Sequence, residues 1–343
     1  MTIALDATYG IGEHLSGVGL YSREILLGAA AAHPEARFDF CYRPHRYLRS
    51  WTQEIPANAR RRLLAEPMVP RGADLFHGLN QRLPRARLRR AVATFHDLFV
   101  MTGEYSTAEF RVRFTGQARD AASRADAIIA VSEYTRGQVV GLLGVEASKV
   151  RVVHHGIREL AYPPDARREK VILNVGAIQK RKNIARLVEA FETLDGSWRL
   201  VLAGSAGYGA GEILARIERS PARARISVTG YVTPNQLAAL YASAEIFAFP
   251  SLDEGFGMPV LEAMAAGTPV VTSRRSALPE VAGDAAILVD PGDAGALGEA
   301  LRDLAGKEDL RRDLARRGVA RARLFTWEKA VRETWDVYRA VLG

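Results

Sequence analysis

The chain has 343 residues, 48% hydrophobic and 25% charged, the balance of a globular protein with room for two domains of ordinary size. No apolar run approaches the ~18–20 residues of a membrane span, and the start MTIALDATYG lacks the basic region and cleavage site of a secretory signal. Cys41, the only cysteine, excludes an intrachain disulfide and a cysteine-built metal site, so a cytoplasmic protein is the simple expectation.

The net charge of +8 is uneven: Arg43 to Arg90 holds twelve arginines against Glu54, Glu66 and Asp74. Two readings stay open. The stretch faces an anionic surface, such as membrane headgroups or a lipid-linked diphosphate, or it is an arginine-rich solvated face. Nucleic acid is not expected as a partner, because no helix-turn-helix, zinc finger or aromatic RNA-binding motif occurs.

The first expected strand is Ile3–Ala7, and Gly10, Gly12, Gly17 and Gly19 crowd the loop after it. A dinucleotide fingerprint fails there. Leu15 stands where the third glycine after Gly10-x-Gly12 belongs, and Ser22 where that after Gly17-x-Gly19 belongs. Further strands are expected at Phe38–Tyr42, Leu75–His77, Ala91–Phe95, Ala127–Val131 and Val150–His154. His96-Asp97 ends the Ala91–Phe95 strand, where a histidine can hydrogen-bond a substrate hydroxyl or simply pack. His154 and His155 are adjacent on a strand and point to opposite faces, which makes a poor chelating pair. The chain contains no Asp-x-Asp, so no metal and no cofactor are expected.

The clearest break is AYPPDARREK, Ala161 to Lys170. It predicts two doubly wound α/β domains, 1–165 and 166–326, with ligands outside the carboxyl ends of the strands and the cleft between the domains as the expected site. The second half repeats the alternation, with strands at Val171–Val175, Trp198–Ala203, Ile226–Thr229, Ile246–Phe249, Pro269–Thr272 and Ala286–Val289. Lys180-Arg181-Lys182-Asn183 follows Val171–Val175 and precedes a helix expected from Ile184 to Thr193. Cations at that place can neutralise a diphosphate, Arg by bidentate contact and Lys as a point charge.

Glu254 and Glu262 bracket Gly255, Phe256, Gly257 and Pro259 in PSLDEGFGMPVLEAMAAGTPVV. The motif reads as a strand end, a glycine-containing loop and a helix from Met258 to Ala266, whose free N–H groups form an anion site. A carboxylate repels phosphate, so the two Glu side chains suit sugar hydroxyls instead. A nucleoside diphosphate sugar, with two sugars flanking a diphosphate, matches that order. The last expected helix, Trp327 to Leu342, carries Trp335, Tyr338 and Leu342 at core-packing spacing.

These residues resemble glycosyltransferase family 4, of the retaining GT-B type. The likeness spans nearly the whole chain: SGVGLYSREIL (Ser16–Leu26), TFHDL (Thr94–Leu98), RADAIIAVSEYT (Arg124–Thr135), VGAIQKRKN (Val175–Asn183), TGYV (Thr229–Val232), LYASAEIFAFPSLDEGFGMPVLEAMAAGTPVV and SALPEVAGDAAILVDP (Ser276–Pro291). The resemblance implies two Rossmann-like domains facing across a cleft, with helix 327–343 packing back on the first. It also implies that Arg181 and Lys182 bind the donor diphosphate and that the backbone of Phe256, Gly257 and Met258, beside Gly255, cradles its distal phosphate. Glu262 would hold the ribose, Glu254 the transferred sugar, and Tyr231 and Val232 the base. His96 would reach the transferred sugar, and Gly17, Val18 and Gly19 the diphosphate. Two positions depart from the family pattern. His155 stands where many members have Asn, and Ala177 where some have Arg, which moves the phosphate contacts onto Arg181 and Lys182.

The likeness is greatest to bacterial mannosyltransferases of surface-polysaccharide assembly. It implies a GDP-mannose donor, with a UDP-sugar as the alternative, and a glycan or lipid-linked saccharide acceptor, handled at the inner membrane face. Front-face displacement without a metal is the implied mechanism. Two other functions stay open on the residues alone: a nicotinamide-dependent oxidoreductase, and a non-catalytic partner that binds glycans or nucleotide sugars. The first predicts protection by a nicotinamide dinucleotide rather than by GDP or UDP. The second predicts loss of the working residues, yet Glu254, Glu262, Lys182 and His96 are all present.

Overall fold

The computed structural model describes residues 1–12, 15–66, 72–163 and 165–343. Pro164 of the Pro163-Pro164 break and Arg71 of the basic stretch lie outside them. The chain divides into two compact units, Met1–Gly156 with Phe325–Gly343, and Ile157–Leu324.

The first unit is built on a seven-stranded parallel sheet, in the order β3-β2-β1-β4-β5-β6-β7. Its strands are β1 (Thr2–Asp6), β2 (Arg37–Tyr42), β3 (Ala59–Leu63), β4 (Leu75–Gly78), β5 (Ala91–Phe95), β6 (Ala127–Ala130) and β7 (Val150–Val152). The second unit carries a six-stranded parallel sheet, β10-β9-β8-β11-β12-β13. Those strands are β8 (Glu169–Val175), β9 (Arg199–Ala203), β10 (Ile226–Gly230), β11 (Ala244–Phe249), β12 (Val270–Ser273) and β13 (Ala286–Val289). Runs such as AVATF in β5 and IFAF in β11 are buried throughout, as strands covered by helices on both faces require.

Each sheet reverses its winding once, between β1 and β4 in the first unit and between β8 and β11 in the second. Outside the carboxyl ends of such a strand pair, the loops part and leave a crevice. Arg181 and Lys182 follow β8, and the Glu254 loop follows β11, so the strand order of the sheet brings both motifs to the second reversal.

Every expected strand forms, most of them within a residue or two of the expected bounds. One strand was not expected. In β3 the run Ala-Arg-Arg-Arg-Leu hides the alternation, yet the edge position uses it. Arg60 and Arg62 reach the buried Asp39 of β2, at 2.5 and 3.8 Å, while Arg61 turns the other way to the Ser50 carbonyl at 3.1 Å. The strand expected at Val150–His154 stops at Val152, which leaves His154 and His155 on the loop beyond it.

The terminal helix Trp327–Leu342 belongs to the first unit. It lies against helix Gly17–Ala32, where a Cβ on Gly28 would stand 2.6 Å from Val331 Cγ2; only glycine permits that approach. Trp335 and Tyr338 are buried as their spacing implied, and Leu342 is partly so. Burial of a side chain of that size is worth about 1.5–3 kcal/mol.

Candidate active site

After β8 the chain makes a tight turn, Lys180–Lys182, and enters helix Ile184–Phe191 through Asn183. Asn183 adopts a left-handed conformation, φ 58°, which asparagine tolerates because its short amide bonds locally. Here that amide donates to the carbonyls of Pro250 (3.1 Å) and Pro291 (2.7 Å). The Leu252 amide donates to the Arg181 carbonyl at 2.8 Å. These bonds join the turn to the loop after β11 and fix which side chains face inward. Lys180 faces out to Glu212 at 3.0 Å. Arg181 and Lys182 face in and are buried.

Both cations converge on Glu254. Lys182 Nζ lies 2.6 Å from Oε1, and Arg181 Nη1 lies 2.9 Å from Oε2. Arg181 also donates to the Asp253 carbonyl, and Lys182 Nζ sits 4.5 Å from the centre of the Phe249 ring. The Glu254 amide donates to Ser276 Oγ at 3.0 Å. Burial alone pushes the Glu254 carboxyl up, but Arg181 and Lys182 outweigh it and hold it at about 2.

The loop then runs through Gly255 and Phe256, both buried, to Gly257 at φ 113°. A Cβ there would stand 2.7 Å from Leu278 Cδ2 and would strain the backbone as well. Helix Met258–Ala265 starts at that point without a side-chain cap; Pro259 has no N–H and the Val260 amide donates to the Gly257 carbonyl at 3.0 Å, so an anion at this end would be met by the amides that precede Pro259. Glu262 lies one turn further and is buried. Tyr241 Oη donates to its Oε2 at 2.9 Å, and Arg158 Nε lies 3.3 Å from Oε1. The Tyr162 hydroxyl donates to the Glu262 carbonyl at 3.1 Å. Burial raises the Glu262 carboxyl, while Arg158 and Tyr241 pull it down without cancelling the rise. The two Glu residues of one motif are thus shifted in opposite directions, because one has two cations at contact and the other has one at longer range.

Tyr231 and Val232 follow β10, at the edge of the same sheet. Tyr231 is half exposed, and both line a groove of about 710 Å³ with Thr229, Gln236 and Asp165. The second unit therefore holds Arg181, Lys182, Glu254, Gly255, Phe256, Gly257, Met258 and Glu262 on two joined loops and one helix. Tyr231 and Val232 lie on a separate groove.

The remaining expected site residues belong to the first unit. Ser16 caps helix Gly17–Ala32, its Oγ accepting from the Gly19 amide at 3.2 Å; Gly17 and Val18 occupy the helix's first turn. His96 is buried after β5. Its Nε2 donates to the Leu79 carbonyl at 2.9 Å, which leaves Nδ1 as the acceptor for His155 Nε2 at 3.3 Å. Burial lowers His96 to about 4, so the ring is neutral at physiological pH. His155 also meets Tyr21 and Trp327, while His154 turns to Phe325. The two adjacent histidines diverge. No group of three or more metal-ligating side chains occurs among the described residues.

Sequence reasoning missed Arg158, Tyr162, Tyr241 and Ser276. Tyr241 lay inside a quoted motif, but spacing gave no reason to aim its hydroxyl at Glu262. Arg158 and Tyr162 come from a segment far from Glu262 in the chain, where no local pattern marks them.

Comparison with known proteins bears on the family and the fold. The family model "Glycosyltransferase Family 4" matches residues 23–159, and "Glycosyl transferases group 1" matches residues 163–321. The chain is 32% identical over 282 residues to O-antigen chain mannosyltransferase B of Escherichia coli, covering 77% of this chain and 74% of that protein. It is 29% identical over 223 residues to the serotype-specific mannosyltransferase WbdA of Escherichia coli, covering 60% of this chain but about a quarter (27%) of that longer protein. Among solved structures, sucrose-phosphate synthase from Thermosynechococcus elongatus superposes with a TM-score of 0.78 at 23% identity, over 99% of this chain and 98% of that one. Anabaena HepE in complex with UDP-glucose superposes with a TM-score of 0.75 at 18% identity, over 99% of each chain. The oxidoreductase and non-catalytic alternatives have no counterpart in these matches. The chain belongs to glycosyltransferase family 4: it is a glycosyltransferase with the GT-B fold, similar to bacterial mannosyltransferases.

Proposed function

We propose that the protein transfers mannose from GDP-mannose to a sugar hydroxyl of a glycan or lipid-linked acceptor, with retention of configuration and without a metal. The observation that carries this reading is the buried cluster of Arg181 and Lys182 on Glu254, beside the uncapped helix Met258–Ala265. A donor diphosphate would take the two cations and the amides of Phe256, Gly257 and Met258. Glu262, fixed by Tyr241 and Arg158, would accept from ribose hydroxyls, and Glu254 from hydroxyls of the hexose. The exposed face of Tyr231, with Val232, would lie against the base. The mannose assignment is supported by relatives named as mannosyltransferases, and the nucleotide-sugar donor by a fold neighbour solved with UDP-glucose.

In this reading the leaving diphosphate gathers negative charge as the glycosidic bond breaks. Arg181, Lys182 and the loop amides stabilise that charge where it develops, and a well-aimed donor of this kind contributes roughly 2.7–4 kcal/mol. Front-face attack suits a site whose carboxylates hold distal hydroxyls, with the leaving phosphate taking the acceptor proton. The test is a thermal shift against GDP, UDP and their sugars, followed by transfer assays with EDTA and NMR of the product anomer. Stabilisation by GDP above UDP and EDTA-resistant transfer with retention are expected. Preference for UDP would overturn the donor assignment, and rescue of an EDTA-killed reaction by a divalent ion would overturn the cation role.

A further inference from the structure

Seven arginines of the basic stretch share five carboxylates within the protein. Arg43 pairs with Asp6 (3.3 Å) and Glu66 (3.5 Å), and Arg60 and Arg62 flank Asp39. Arg82 and Arg85 reach Glu66, Arg89 reaches Asp74, and Arg90 reaches Asp126. Such pairs add little to the field that an anionic surface feels. Arg46, Arg49, Arg61 and Arg87 make no such pair with an acid among the described residues.

Arg46 and Arg49 lie beside an apolar pair in the chain. Pro44–Tyr47 forms one helical turn that runs on into a tighter turn, Leu48–Thr52. Residues three apart share a face. Tyr47 and Ser50 take the inner face, where the Ser50 hydroxyl donates to the Tyr47 carbonyl at 2.6 Å. Leu48 and Trp51 take the outer face, 81% and 63% exposed. Leu48 is the most exposed large apolar residue among those described. Arg61 lies over the Trp51 ring, 4.8 Å from its centre, and bonds the Ser50 carbonyl. That contact holds the indole outward and adds a third cation. Arg49 reaches to within 3.8 Å of where a Cβ on Gly12 would stand, so the turn adjoins the glycine loop.

We propose that the turn Pro44–Thr52 docks the protein on an anionic lipid bilayer. Leu48 and Trp51 enter the headgroup region, and Arg46, Arg49 and Arg61 face lipid phosphates. Indole settles at the membrane interface because it pairs an apolar body with a polar N–H. Each cation near an anionic bilayer raises partitioning about fivefold, an effect that fades with salt. A polyanion in solution would use the cations but not the exposed Leu48 and Trp51; a bilayer uses both.

The proposal deepens the reading of a membrane-held acceptor. Vesicle binding is measured without donor or acceptor, so its failure leaves sugar transfer standing, and failure of transfer leaves the docking standing. The full chain is sedimented with vesicles of phosphatidylglycerol and phosphatidylcholine, and with phosphatidylcholine alone, across a salt series. Binding to the anionic vesicles is expected, with a blue shift in fluorescence that Trp51→Phe abolishes. Arg46→Gln with Arg49→Gln should weaken binding roughly 25-fold at low salt, and Leu48→Ser with Trp51→Ser should abolish what survives at high salt. Arg87→Gln, remote in the chain, should cost fivefold or less. Equal binding by all variants, or none by the wild type, would overturn the proposal. So would a concentration-dependent dimer in the absence of lipid that Leu48→Ser with Trp51→Ser dissolves, since the patch would then serve a second copy. All five side chains lie away from the core, and circular dichroism checks that each variant folds.

Discussion

Replacing Glu254 by Gln removes one charge from the centre of the candidate site and keeps its shape. The wild-type carboxylate accepts from Lys182 at 2.6 Å and from Arg181 at 2.9 Å, and contacts of that charged kind are worth about 1.5–3 kcal/mol each. The pKa gives an independent figure. A buried carboxyl held at about 2 instead of 4.5 corresponds to about 3 kcal/mol of folding stability at neutral pH. Because the folded-state pKa is depressed, this stability is present above 4.5 and is lost as pH falls through about 2. Roughly 2 kcal/mol of it should be gone by pH 3. Glutamine has no such titration, so the wild-type advantage over Glu254→Gln should shrink by that amount between pH 6 and pH 3. Denaturant unfolding of both proteins over that range measures it, and the difference cancels the other acids of the chain. The same substitution takes the Glu254 charge away from Arg181 and Lys182, so added GDP should raise the variant's melting temperature more than the wild type's. A wild-type advantage that stays constant down to pH 3 would refute the ion-pair account.

Lys182→Ala leaves Arg181 on the other oxygen of Glu254, so folding should suffer less than turnover, which should fall about 100- to 1,000-fold. A near-normal rate, or an unfolded variant, would contradict a role on the diphosphate. Glu262→Gln should weaken GDP binding tenfold or more by calorimetry while inorganic pyrophosphate binds as before; equal losses for both ligands would remove the ribose contact. His77 is wholly buried between Tyr338 (2.6 Å) and Thr94 (2.8 Å), and burial lowers it to about 3. A histidine depressed in this way stabilises the fold above its ordinary value of 6.5 and destabilises it as pH falls, by about 2 kcal/mol at pH 5. His77→Gln should flatten that part of the pH–stability curve, and an unchanged slope would assign the acid sensitivity elsewhere.

Much of this was legible in the chain. Strands buried on both faces read as unbroken apolar runs, and β5 and β11 announce themselves in that way. Glycine and proline around Glu254 marked a loop opening a helix, because few other residues suit the left-handed backbone at Gly257 or the first helical turn at Pro259. The sequence was silent where a residue's role depends on a distant partner. β3 looked like a run of charge, since nothing local says that Asp39 lies buried on the neighbouring strand to receive Arg60 and Arg62.

The basic stretch makes the same point on a larger scale. Twelve arginines against three acids suggested a broad anionic face, but Asp6, Asp39 and Asp126 lie outside or beside that stretch and fold back onto it. Tertiary pairing decides which charges remain outward. By itself the sequence determined the alternation of strands and helices, hence two doubly wound sheets, and it placed Arg181, Lys182 and Glu254 after the strands that bear them. Only the tertiary structure decided that β8 and β11 lie side by side where the winding reverses, so that both cations close on one carboxylate, and that Tyr241 and Arg158 hold the other. Periodicity and turn chemistry act over a few residues, whereas a buried charge is set by whatever the whole fold brings within about 4 Å of it.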